Sequence, residues 1–136
     1  MKQILLFAIL ISLSFVIPKT ADNVIGTYYS PDKGGKIEIY KRNGKFYGKT
    51  TCCDATRKDI KNPNPQLRSR SRIGMDFVFD MQYQNGKYTN GKVYNPENGK
   101  TYDANMWLEK GNRELHMRGY IGSSFLGKTV VFERVR

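Results

Sequence analysis

Arg68, Arg70 and Arg72 stand at alternate positions in a stretch rich in polar residues. Residues two apart share one side of an extended backbone. Three guanidinium groups aligned in this way would make an anion grip, each able to hold an oxyanion through two parallel hydrogen bonds. The competing reading is structural, with these arginines pairing with Asp54, Asp59 or Asp76. Other reactive side chains are sparse. Cys52 and Cys53 are adjacent and are the only cysteines. Three readings stand for them: one inert and buried with the other half-exposed, a vicinal disulfide, or an intermolecular bridge or redox role. No second pair completes a zinc site, and the only histidine, His116, is far along the chain. His116 alternates with Glu114 and Arg118 opposite Leu115 and Met117, which places the imidazole in solvent if those two are core. Ser123-Ser124 has no nucleophile-elbow setting. Asp76, Asp80 and Asp103 lack metal-ligand spacing, and residues 54–59 do not form a calcium loop. No catalytic set, metal site or cofactor is therefore expected, and the chain reads as a non-enzyme.

The elements that must position these residues are strands. Asn43-Gly44, Asn85-Gly86 and Asn98-Gly99 are strong hairpin turns, because Asn-Gly accepts positive φ at both central positions. Between such turns run short alternating segments. They predict strands at 24–29, 36–41, 45–51, 75–83, 87–94, 101–108, 114–121 and 128–135. The clearest alternation places Met75, Phe77, Phe79, Met81 and Tyr83 on one face. Tyr102, Ala104, Met106 and Leu108 share another, and Leu115, Met117, Gly119 and Ile121 a third. Eight sequential antiparallel strands remove their edges by closing on themselves. The expected fold is all-β, an eight-stranded up-and-down barrel, with a two-sheet sandwich as the alternative. One connection is long, about 54–74. Its two X-Pro steps exclude a regular helix through Pro65 and leave room for a helical turn over 66–70. Loops of this length are uncommon in compact domains and often bind ligands.

The first residues are different in kind. Lys2 precedes an almost wholly apolar run over 4–17, the length of a signal-peptide core and shorter than the roughly 20 residues of a membrane span. Residues 1–21 are expected to be a signal peptide cut near Thr20 or Ala21, and 22–136 a single barrel domain. Lys19 weakens that cleavage site, so an uncleaved anchor is the alternative. No cysteine follows the run to carry a lipid. Export to the periplasm or the exterior follows, with no membrane contact beyond the leader. The chain carries a net charge of +11, and loss of Lys2 and Lys19 with the leader brings it to +9. That balance favours anionic partners, although outward Lys and Arg also protect a β protein from edge association. Nucleic acid is not expected, since the chain has neither a basic amphipathic helix nor an RNA-binding aromatic motif.

Several segments resemble the DUF2147 family of small exported bacterial proteins. They are Ile25-Gly-Thr-Tyr28 with Gly35-Lys-Ile-Glu-Ile-Tyr40, Lys61-Asn-Pro-Asn-Pro with Leu67-Arg-Ser-Arg70, and Val93-Tyr-Asn-Pro-Glu-Asn-Gly-Lys-Thr-Tyr102. Met117-Arg-Gly-Tyr-Ile-Gly122 and Leu126-Gly-Lys-Thr129 with Glu133-Arg-Val135 complete the set. The resemblance spans nearly all of 24–135 in order. It implies a lipocalin-like, calycin-type barrel in the cell envelope and no established activity. The chain departs from the family where Tyr28 replaces the common Trp, and where Thr50, Thr51, Cys52 and Cys53 replace a more apolar stretch.

The functional expectation is a monomeric binding module. Phe77, Phe79, Met81, Tyr102, Met106 and Met117 would line an apolar slot in the barrel, since Met and aromatic walls suit irregular apolar guests. Arg68, Arg70 and Arg72, with Arg118, would receive a polar or anionic head. The guest would be a small lipid-like or anionic molecule. The alternative is a filled barrel that binds a protein or an anionic polymer through its surface or its long loop.

Overall fold

In the computed structural model, residue 11, residues 20–123 and residues 126–136 are described. Most of the expected signal peptide lies outside the described residues. Among those described, no helix is long and apolar enough to cross a membrane.

Eight strands form as the turn pattern predicts: β1 (Gly26–Tyr29), β2 (Lys36–Arg42), β3 (Lys45–Cys52), β4 (Asp76–Gln84), β5 (Lys87–Asn95), β6 (Lys100–Glu109), β7 (Glu114–Tyr120) and β8 (Gly127–Arg134). Each pairs antiparallel with the next, and β1 closes on β8 through Tyr28–Arg134 and Tyr29–Glu133. The barrel, rather than the sandwich, is the architecture. Asn43-Gly44 and Asn85-Gly86 take positive φ at both residues, as the tight turns require.

The two ends of the barrel differ. At one end a 3-10 turn (Ala21–Val24) crosses beneath the strands. Val24 is fully buried there, and the Tyr88 hydroxyl donates to the Ala21 carbonyl at 2.6 Å. Arg134 lies over the Tyr28 ring at 4.7 Å and donates to the Asn23, Ile25 and Asn112 carbonyls and to the Tyr28 hydroxyl. Burial pushes the Tyr28 phenol up to about 12, against the pull of Arg134. The long 53–75 connection occupies the other end, where Cys52 and Cys53 pair with each other at the close of β3.

The lumen is packed rather than hollow. Tyr28, Tyr88, Phe46, Ile39, Met81, Met106, Leu115 and Val78 are all essentially inaccessible to solvent. The Phe46 and Tyr88 rings meet edge to face at 5.2 Å, a favoured aromatic geometry. Beneath this core, a hollow bounded by Asn23, Tyr83, Tyr88 and Leu108 has a volume of only about 20 Å³, room for roughly one water.

β4 departs from strict alternation. Gly48 pairs with Val78 and Phe46 with Met81, so Phe79 and Asp80 together oppose Tyr47. Gly48 and Lys49 pair with Val78 and Asp76, which leaves Phe77 as a second extra residue. Two residues opposing one is a β-bulge, and each bulge resets which face is inside. Phe77 and Val78 are therefore both buried, while Asp80 takes a φ of 56° and is exposed. Phe79 opposes Lys92 on the outer face and is half-buried. This corrects its expected place in the lumen. Phe77, Met81, Met106 and Met117 point inward as expected, and Tyr102 is half-buried beside inward Val93.

The bulges depend on a close approach by β5. A Cβ on Gly91 would lie 2.5 Å from the Phe79 carbonyl oxygen and would overlap the Met81 sulfur. Gly91→Ala is expected to destabilise the barrel by about 3 kcal/mol, at the upper end of overpacking costs, measured as a shift in the urea midpoint. An unchanged midpoint would mean that β4 and β5 separate without cost.

Candidate functional site

The long connection is built around one carboxylate. Asp59 is completely buried. Its Oδ1 accepts the Tyr94 hydroxyl at 2.6 Å, and its Oδ2 accepts Asn62 Nδ2 at 2.8 Å and Arg70 Nε at 3.0 Å. Arg70 Nη2 stands 2.9 Å from the same oxygen. Burial works to raise the Asp59 carboxyl, but the bonds from Tyr94, Asn62 and Arg70 outweigh it and hold the carboxyl below its usual range. The reciprocal effect falls on Tyr94, pushed up to about 12 by burial and by its bond to the carboxylate.

Local sequence prepares this arrangement. Asn64 caps the 3-10 turn Pro65–Leu67 by accepting the Gln66 N–H, with Pro65 at a position that needs no donor. The turn brings Arg68 Nε to the Asn62 carbonyl at 2.8 Å. Lys58 and Ser71 form an isolated antiparallel bridge, which folds the connection back on itself. Arg72 reaches outward to the β5–β6 turn, with Nη1 2.6 Å from Glu97 Oε1 and Nε 3.0 Å from the Lys58 carbonyl. Arg57 joins the same Glu97 oxygen, and the two arginines, Arg72 first, hold the Glu97 carboxyl below its usual range. Gly99 completes the seat: with φ 72° it lies so close to the Lys61 carbonyl that a Cβ would collide with it.

The expected anion grip is thus not arranged as the extended backbone predicts. The segment turns, and the three arginines part: Arg68 to Asn62, Arg70 to Asp59, Arg72 to Glu97. Arg118 is not with them. It lies on β7 and donates to Thr129 Oγ1 at 2.9 Å. Asp54 turns instead on its own neighbour Thr56, and Asp76 accepts the Tyr40 hydroxyl.

What the structure does bring together is Arg70 with Phe79. They line a hollow of about 560 Å³, open to solvent, with Ser71, Ile73, Gly74, Met75 and Asp76. It lies between the returning arm of the connection and the outer face of β4. Met75 is held in place by Thr50, whose N–H donates to the Met75 carbonyl at 3.1 Å. The hollow therefore exists because the bulge turns Phe79 outward and because Asp59 tethers Arg70. Sequence alternation hid the first; the second is the structural pairing with Asp59 that the sequence left open, taken by Arg70 alone of the three arginines. The Pro-Asn-Pro capping signal was the visible clue that this segment is ordered.

Asp59→Ala is expected to cost about 2–3 kcal/mol, below the usual figure for breaking a buried pair because Arg70 is partly exposed and keeps some solvation. It should also release the connection to proteolysis while leaving the strands folded. Because the folded carboxyl lies below its ordinary value of 3.8, its contribution is present above that pH and is lost as the pH falls through the folded value. Acid unfolding of Asp59→Asn should accordingly lack this component, as read from the pH dependence of the urea midpoint.

Residues 26–134 match the family described as uncharacterised proteins conserved in bacteria, DUF2147. No curated protein matches the chain. Among solved structures it is similar to protein HP1028 from Helicobacter pylori, described as belonging to the lipocalin family. The two are 30% identical over 83% of each chain, with a TM-score of 0.73. The closed eight-stranded barrel is accordingly lipocalin-like, and the chain belongs to the DUF2147 family.

Proposed function

We propose that the protein is a binding module of the cell envelope or exterior that takes a small amphiphile with an anionic head. The seat is the hollow between the long connection and β4, not the barrel lumen. The observation that carries this reading is the juxtaposition of Phe79, Met75 and Ile73 with Arg70 in a hollow of about 560 Å³. That volume lies within the range of small-molecule sites, and the open hollow mixes polar with apolar walls, Arg70, Ser71 and Asp76 beside Ile73, Met75 and Phe79. Arg70 offers more donors than Asp59 uses: Nε and Nη2 face the carboxylate, and a guanidinium carries five N–H groups. Its remaining N–H groups can donate to an oxyanion, while Asp59 fixes its position and balances its charge, and Asp76 on the same wall carries the opposite sign. The lipocalin description of the H. pylori neighbour supports small-ligand binding as the general role, and the apolar run over 4–17 supports export.

A second reading rests on the packed lumen. With Tyr28, Phe46, Tyr88 and Met106 filling the centre, the barrel would serve as a rigid scaffold that docks a protein or an anionic polymer.

A fluorescent long-chain fatty acid and its methyl ester separate the two. The binding-module reading expects saturable binding of the acid, with weaker binding of the ester. Phe79→Ala should weaken both about tenfold or more, the scale of one buried aromatic contact. Absence of saturable binding, or binding indifferent to Phe79→Ala, would discard the hollow as the seat and leave the scaffold reading.

A further inference from the structure

The outer face of the β6–β7 hairpin holds the chain's only imidazole between two carboxylates. His116 Nε2 is 2.9 Å from Glu114 Oε2 and 3.2 Å from Glu109 Oε2. The three donor atoms all lie within 4.8 Å of one another. A single N–H serves one carboxylate well and two poorly. A zinc-like ion accepts imidazole nitrogen and carboxylate oxygen at about 2.0–2.2 Å, so ligands on adjacent vertices around it stand roughly 3.0–3.5 Å apart. The observed spacings are close to those of an ion's neighbouring ligands.

Both carboxylates are also oriented from behind. Trp107 Nε1 donates to Glu109 Oε1 at 2.9 Å, and Lys110 Nζ lies 3.0 Å from Glu114 Oε1. Each tether occupies the far oxygen and leaves the near one turned toward His116. The Trp107 ring stacks on the imidazole, with centroids 5.5 Å apart and planes 27° apart. The His116 side chain is only 14% exposed, so the ring is held rather than free. Such outer partners fix ligand direction in metal sites generally. From β8, Val131 faces His116 and Glu133 faces Glu114. Glu133 is paired with Lys33 at 3.4 Å, and Lys110 is the cation beside Glu114.

We propose that Glu109, Glu114 and His116 form a binding site for a divalent transition ion of the Zn²⁺ or Cu²⁺ type, with the remaining coordination positions left to water or to a ligand from solution. One imidazole with two carboxylates suits such borderline ions, and affinity should follow the usual order with Cu²⁺ tightest. The site lies toward the end of the barrel closed by the 3-10 turn, away from the long connection, and does not depend on the hollow being a binding seat.

Trp107 is the only tryptophan, so its emission reports on the site directly. Titration of the purified protein, carrying no histidine tag, with CuCl₂ should give saturable quenching at one ion per chain, reversed in part by ZnCl₂. His116→Gln and Glu114→Gln should each weaken binding at least about tenfold, with circular dichroism confirming the fold. Non-saturating quenching overturns the proposal. So does equal Cu²⁺ affinity in the parent and in whichever of the His116 and Glu114 variants folds.

Discussion

A single buried carboxylate organises the long connection. Asp59 collects donors from Tyr94 on β5, from Asn62 three residues on, and from Arg70 on the returning arm. An isolated carboxylate so deeply removed from water would be prohibitively costly. Here the bonds from three side chains compensate it, and no buried side-chain nitrogen or oxygen among the described residues lacks a partner. The cost of burying the charge makes the geometry specific, because any conformation of the connection that withdraws a donor exposes that cost. A connection that its length alone would suggest is loose is instead a defined part of the structure.

The strands were readable because hairpin turns leave local marks. Positive φ at Asn43, Gly44, Asn85 and Gly86 follows from residue types that tolerate it, and the alternation between turns did the rest. The side on which each residue falls was less accessible. In β4 three apolar residues, Phe77, Val78 and Phe79, run consecutively, so alternation could be started at either phase. The choice is made by β3, where Gly48 accepts Val78 across the ladder, information that β4 does not contain.

The site followed the same rule. Three arginines at alternate positions suggested a common direction, yet their acceptors lie on separate elements: the Asn62 carbonyl, the Asp59 carboxylate and Glu97 of the β5–β6 turn. The separations are 6, 11 and 25 residues, and packing settles which acceptor each arginine takes. The Glu109–Glu114–His116 cluster is an intermediate case. Glu114 and His116 share a strand face by simple alternation, while Glu109 joins them only through the hairpin register, in which it opposes Glu114.

The closed end of the barrel has a bearing on how the polypeptide can be trimmed. The Ala21 carbonyl is the acceptor for the Tyr88 hydroxyl, a phenol set against the core. A peptidase that removed Ala21 along with everything before it would strip that acceptor and leave the Val24 backbone as the phenol's remaining main-chain partner. One that stopped before Ala21 would leave the plug intact. Cuts on either side of Ala21 would therefore leave different hydrogen bonding at the barrel floor.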